Sequence, residues 1–203
     1  MLRRIVIVVS VGACFAWLAC AKPPVAPPSV PEAQPETPAA SLPCKNAERI
    51  AVSKSRRSLT VHCVEGGTLT FPIALARARG PKRVAGDDRM PEGAYRIAGP
   101  PRKSRFHVFI PIDYPSRADA DRGLEDGLIT KDEHAAIAHA HRDGRLPPQD
   151  TPLGGLLGIH GEGARWRGDL DLNWTEGCIA VTDLAIVQLS RLTRPGTPVQ
   201  ITP

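Results

Sequence analysis

Ile159-His160-Gly161, followed by Asn173-Trp174-Thr175-Glu176-Gly177-Cys178-Ile179-Ala180-Val181, is the stretch around which the chain is organised. A histidine and a cysteine 18 residues apart, each beside a glycine, point to a thiol–imidazole pair. A thiol attacks only as thiolate, and an unperturbed pKa near 8.5 leaves a small fraction ionised at neutral pH. An imidazole close by takes the proton. Glycine lets backbone approach closely, and a tight Glu176-Gly177-Cys178 turn would aim successive N–H groups at one point. Such a nest holds an oxyanion, one donor contributing about 3 kcal/mol. The reaction class is then acyl transfer through a thioester. The competing reading makes Cys178 a buried core thiol and His160 a turn residue.

Outward from this stretch, short runs of period two are bounded by turns. Residues 49–53 and 58–64 flank the polar turn 54–57, with Leu59, Val61 and Cys63 on one face, which is hairpin grammar. Residues 68–76 continue as a strand broken near Pro72, and 94–98, 106–112 and 199–201 follow. A glycine-interrupted apolar run, 153–159, leads into His160. The period changes between Ser116 and Arg145, where Thr130-Lys131-Asp132-Glu133 has capping-box spacing and opens an alanine-rich helix ending near Asp143-Gly144. Asp183 is the expected N-cap of a helix over 184–192, stopped by Pro195-Gly196. The expected class is mainly β, with one or two flanking helices and no internal repeat.

No metal site is expected. His134 and His139 are five apart and His139 and His141 fall on different helix faces, while Asp119, Asp121, Gly123 and Glu125 lack the register of a calcium loop. A solvated helical face accounts for them.

The 203 residues hold one domain of ordinary size plus extensions. Lys and Arg number 26 against 21 acidic residues, an excess that includes Arg3 and Arg4, too small to argue for nucleic acid. Residues 1–20 read as a signal peptide with a basic start and an apolar run too short to span a bilayer comfortably. Trp17-Leu18-Ala19-Cys20 resembles a bacterial lipobox, which makes Cys20 the lipidated residue of a membrane-anchored protein; ordinary cleavage or an uncleaved anchor are the alternatives. Residues 21–43 contain eight prolines and form a disordered tether reaching about 60 to 70 Å. The folded domain occupies 44–203, with Cys44, Cys63 and Cys178. In an oxidising compartment Cys44 and Cys63 are the natural pair, a loop closure worth on the order of 3 kcal/mol. The competing pairing puts Cys178 in a bridge and abolishes any nucleophilic role. The expected location is the cell envelope on the periplasmic face, with Ala21 after Cys20 leaning towards the outer membrane.

The residues around His160 and Cys178 resemble the L,D-transpeptidase catalytic domain of the YkuD type. That family pairs an Ile-His-Gly segment with a Ser/Thr-His-Gly-Cys segment. Lys82, Gly86-Asp87, Pro91-Glu92-Gly93 and Tyr95-Arg96-Ile97 resemble its further motifs, and Phe106-His107, Tyr114-Pro115, Leu153-Gly154-Gly155 and Trp174 to Val181 resemble its YafK-like periplasmic subgroup. The resemblance implies a β-sandwich-like catalytic domain acting on peptidoglycan stem peptides, without cofactor. It makes Cys178 the nucleophile, His160 the general base, the Gly161 carbonyl the group orienting the imidazole, and the Gly177 and Cys178 N–H groups the oxyanion donors. Arg89, Trp174, Thr175 and Glu176 are the expected substrate contacts, and a wall-linked protein is a further candidate partner.

Two positions depart from the family pattern. Glu176 stands where most members have histidine, and Ala180 where arginine commonly follows Cys-Ile. A carboxylate facing the sulfur would raise the thiol pKa, and loss of the arginine removes a partner for a substrate carboxylate, a role open to Arg89, Arg96, Arg102 and Arg105. The alternatives to transfer are a hydrolase (carboxypeptidase or amidase) on the same scaffold and a non-catalytic wall-binding lipoprotein.

Overall fold

The computed structural model describes residues 44–165 and 172–203. The signal peptide, Cys20 and the 21–43 tether lie outside the described residues. Every described residue belongs to one compact unit.

The strands are β1 (Ala47–Ser53), β2 (Ser58–Cys63), β3 (Thr68–Pro72), β4 (Gly93–Arg96), β5 (Arg102–Ser104), β6 (His107–Pro111), β7 (Gly158–His160), β8 (Ile179–Ala180) and β9 (Pro198–Thr202). The helices are α1 (Arg117–Glu125), α2 (Lys131–Arg142) and α3 (Asp183–Leu192). One sheet has the order β3-β2-β1-β9-β4 and the other β5-β6-β7-β8. The expected hairpin is β1 against β2, with Ile50 opposite Val61 and Val52 opposite Leu59. All four are buried, because alternation turns one face of each strand inwards. β9 lies parallel to β1 and antiparallel to β4, closing the first sheet from the C-terminal end of the chain. Ile50, Val52, Leu59 and Val61 of that sheet join Ile110, Ile159 and Ile179 of the other, with Ile186 and Leu189 of α3, in one apolar core. Cys44 and Cys63 form the disulfide, and Cys178 is the free cysteine among the described residues.

Among the described residues there are three helices rather than one or two. The acidic run 119–125 is α1. Ser116 caps it in a full capping box with Asp119, whose carboxylate accepts from the Ser116 amide and hydroxyl at 2.9 and 2.7 Å. Asp119 is buried, and it also accepts from Tyr95 Oη at 3.0 Å and pairs with Arg122 at 2.7 Å. The expected solvated helical face therefore holds for Asp121 and Glu125 but not for Asp119, which is a buried structural carboxylate. α2 has the expected Thr130–Glu133 capping box. α1 and α2 enclose a small apolar cluster of Ala120, Ile129, Ile137 and Leu153, which anchors the run leading to β7. The N-cap of α3 is Thr182 rather than Asp183: its Oγ1 accepts from Ala185 N, and Asp183 is freed for another task. β5 has no apolar alternation, which is why period analysis passes over it.

Asp119→Ala is expected to lower the free energy of unfolding by about 2 kcal/mol, since it removes the buried carboxylate that Ser116, Tyr95 Oη and Arg122 share and with it the helix cap. Glu125→Ala, exposed on the same helix, should change it by less than about 0.5 kcal/mol. Urea unfolding followed by circular dichroism measures both.

Candidate functional site

β7 and β8 pair in parallel, Ile159 with Ile179 and His160 with Ala180. Continuing the register by one residue sets Cys178 beside Gly158. Opposed residues and those two apart share a face, so the His160 and Cys178 side chains project from the same side of this sheet. Both line a cleft of about 570 Å³. The cysteine segment is braced from its other edge by the run after β3: Ala74 N donates to Ala180 O at 2.9 Å, Trp174 N to Leu75 O at 3.0 Å, and Arg77 N to Thr175 O at 3.0 Å. The break at Pro72 ends ladder pairing in the first sheet and releases this run to reach the site.

His160 is 2% exposed. Its Nδ1 lies 2.6 Å from Gly161 O, and a carbonyl can only accept, so Nδ1 carries the hydrogen and Nε2 keeps its lone pair. Phe106 stacks on the ring at 4.4 Å and Trp174 meets it edge-on at 5.5 Å. Burial lowers the imidazole pKa, the Gly161 carbonyl opposes that, and Arg105 adds to the lowering. The imidazole is therefore neutral at pH 7. Asp183 Oδ1 accepts from Glu162 N at 2.9 Å and Gly163 N at 3.0 Å, holding the turn that aims the Gly161 carbonyl. A Cβ on Gly161 would run into that same oxygen and come within 2.8 Å of Phe106 O, so only glycine fits.

Cys178 is half-buried and lines the cleft. Its Sγ lies 3.8 Å from Leu156 O. Burial pushes the thiol up to about 11; the Gly158 amide and Lys82 work against this, and Glu176 adds the smallest contribution upwards. Gly177 has φ +129°, and a Cβ there would sit 2.8 Å from Arg89 O. Among the described residues the N–H groups of Gly177 and Cys178 donate to no protein acceptor. Thr175 Oγ1 donates to Cys178 O at 2.7 Å and closes the turn.

The four expected substrate contacts fall in different places. Trp174, Thr175 and Glu176 line the cleft. Thr175 is buried with its hydroxyl committed to the turn. The Glu176 side chain is 69% exposed and lies 3.2 Å from Arg77 Nη1, which also holds Asp88 at 3.2 Å, so its charge is paired with a guanidinium. Arg89 is not among the cleft-lining residues; it meets the turn through its backbone, with its carbonyl against Gly177 and its amide 3.1 Å from Asp87 Oδ1. Ala180 is fully buried. Lys82, 3% exposed, pairs with Asp87 at 2.9 Å. Burial works against ionisation of Asp87, but the Arg83 amide, the Lys82 ammonium and the Val84 and Arg89 amides hold its carboxyl below the usual range. The histidines of α2 have structural partners: His134 Nε2 lies 2.6 Å from Asp121, and His141 Nε2 donates to Pro115 O at 2.8 Å.

Sequence reasoning missed Glu162. It is 2% exposed, and its Oε1 has no hydrogen-bond partner among the described residues. Burial, followed by the Asp183 charge, raises its carboxyl to about 7. Its place directly after His160-Gly161 was the available signal.

A family model described as the L,D-transpeptidase catalytic domain, YkuD, matches residues 47–201. No curated protein matches. Among solved structures, the chain is similar to the helical cell shape determining protein Pgp2 from Campylobacter jejuni, at 18% identity and TM-score 0.52, covering 75% of this chain and 46% of that one. It is also similar to L,D-transpeptidase 1 of Mycobacterium tuberculosis, at 12% identity and TM-score 0.40, covering 76% and 60%. The chain thus spans about half the length of Pgp2, and the likeness is one of fold.

Within residues 44–203 one thiol, Cys178, should titrate in the folded protein. Its alkylation by iodoacetamide should accelerate about tenfold per pH unit between pH 7 and 9 without a plateau. Glu176→Gln should change that rate by less than about threefold; a larger acceleration would mean that the carboxylate faces the sulfur. Glu162 carries a different pH dependence. Its folded pKa of about 7 exceeds the unfolded value near 4.5, so the folded state binds more protons in that window and stability falls as pH rises through it. Glu162→Gln should therefore gain about 2 kcal/mol more over wild type at pH 8 than at pH 5, read from urea unfolding at the two pH values.

Proposed function

The chain belongs to the L,D-transpeptidase catalytic domain family, and on that premise we propose that it performs cysteine-dependent acyl transfer on peptidoglycan stem peptides. The observation that carries this reading is the shared face of His160 and Cys178, with His160 Nδ1 bound to the Gly161 carbonyl and its Nε2 lone pair available.

With the thiol near 11 and the imidazole lowered, the resting pair is neutral rather than a thiolate–imidazolium ion pair. At pH 7 only about 1 thiol in 10,000 is ionised at such a pKa. The proton therefore leaves Sγ for Nε2 as the S–C bond forms, which is general-base catalysis. The oxyanion is taken by the free Gly177 and Cys178 N–H groups. Collapse returns the proton from His160 to the leaving amine and gives the Cys178 thioester. An acceptor amine, deprotonated by the same imidazole, then attacks and frees the thiol. Water in place of that amine turns the enzyme into a hydrolase.

The lipobox-like Cys20 and the proline-rich segment support an envelope protein anchored by lipid on the periplasmic side, with reach to the wall. The Trp174 to Val181 motif supports the YafK-like subgroup. Likeness to Pgp2 fits a wall-remodelling role that bears on cell shape.

Incubating the full chain with purified muropeptides, with and without a D-amino acid, should yield an exchanged peptide detectable by mass spectrometry. Shortened peptide alone would identify a hydrolase, and no product at all would overturn catalysis. Cys178→Ala should bring product below detection without loss of fold; full activity in that variant would refute the thioester.

A further inference from the structure

Three cations line the cleft, and two are already neutralised. Arg77 is held between Asp88 and Glu176, and Lys82 is paired with Asp87. Arg105 differs. Among the described residues its guanidinium meets no carboxylate; it lies over the face of Phe106, 4.8 Å from the ring centroid. A guanidinium stacked in this way keeps its edge N–H groups free, in the fork geometry that matches a carboxylate.

The surroundings of Arg105 point the same way. β5 and β6, with the turn between them, carry Arg102, Lys103, Arg105 and His107, and none has an acidic partner among the described residues. All four line a second concavity of about 680 Å³, in which Asp183 is the one acidic wall residue. Asp183 Oδ1 is occupied by the Glu162 and Gly163 amides. Arg105 lines both this concavity and the catalytic cleft. Among the other arginines, Arg96 donates to Gly196 O and lines a separate concavity, and Arg89 contributes backbone.

We infer that Arg105 anchors a free carboxylate of the peptide substrate beside the scissile bond, with the basic β5–β6 hairpin extending that subsite out of the cleft. This rests on the acyl-transfer reading. Phe106 stacks on Arg105 with one face or edge region and on His160 at 4.4 Å, so one ring separates the anchored carboxylate from the general base. A carboxylate that close to the reacting carbonyl belongs to the terminal residue being released. Selectivity then comes from a charge-assisted contact that a blocked terminus lacks.

The test compares a stem tetrapeptide ending in a carboxylate with the same peptide ending in a carboxamide. For the wild-type chain, kcat/KM should favour the carboxylate about tenfold or more. Arg105→Gln should lose about tenfold on the carboxylate, mainly through KM, and less than about twofold on the carboxamide, while Arg105→Lys recovers part of the loss. Lys103→Gln should cost about threefold or less, with weaker dependence on ionic strength. Equal losses on both peptides would overturn the assignment. Calorimetric binding of both peptides to the full chain carrying Cys178→Ala separates this inference from the reaction. A carboxylate preference erased by adding Arg105→Gln upholds the anchor even if the wild type turns nothing over. No preference in binding overturns it, whatever the activity.

Discussion

Two parallel residue pairs, Ile159 with Ile179 and His160 with Ala180, hold together segments that the chain brings back from opposite ends of a long excursion. Parallel strands cannot be joined by a tight turn. The pairing is short, so its geometry depends on what lies on either side. β6 pairs with β7 on one flank, and the run from Ile73 to Arg77 hydrogen-bonds the cysteine segment on the other. Both flanks come from sequence far from the nucleophile. Relative placement of base and thiol is therefore a property of the whole second sheet rather than of the motif.

The electrostatic character follows from the same enclosure. Burial lowers the His160 pKa and raises that of Cys178, so enclosure favours the uncharged form of each. The charges nearby are locked into pairs, Arg77 with Asp88 and Glu176, and Lys82 with Asp87. Among the described residues, the Arg105 edge and the turn amides remain unpaired at the cleft. A resting site of this kind reserves its polar stabilisation for charge that appears only when a substrate carbonyl is attacked.

Much of this was legible in the chain. Alternation at Leu59, Val61 and Cys63 located the first hairpin, the Thr130–Glu133 box located α2, and glycines beside His160 and Cys178 marked where backbone comes close. Other features depend on contacts that no local pattern records. Ser116 and Asp119 form a capping box too, but its acceptor doubles as a buried partner for Tyr95, so a carboxylate expected on a solvated helical face lies inside. Asp183, the expected cap, sits one residue past the actual one, because Thr182 serves the helix and leaves the carboxylate to the 161–163 turn. Arg105 and Arg89 are indistinguishable by composition; only the stacking on Phe106 and the course of the backbone behind Gly177 separate them.

The Cys44–Cys63 bond has a mechanical consequence. Any pull applied through the residues preceding Cys44 passes across the disulfide into the end of β2, and from there into the five-stranded sheet. The ladder of β1, β2 and β3 takes that load as shear shared among many backbone hydrogen bonds. β7 and β8 lie in the other sheet and are not in series with it. A pull on the chain's leading segment thus enters the five-stranded sheet at two strands, β1 along the backbone and β2 through a covalent staple, instead of peeling β1 from its end.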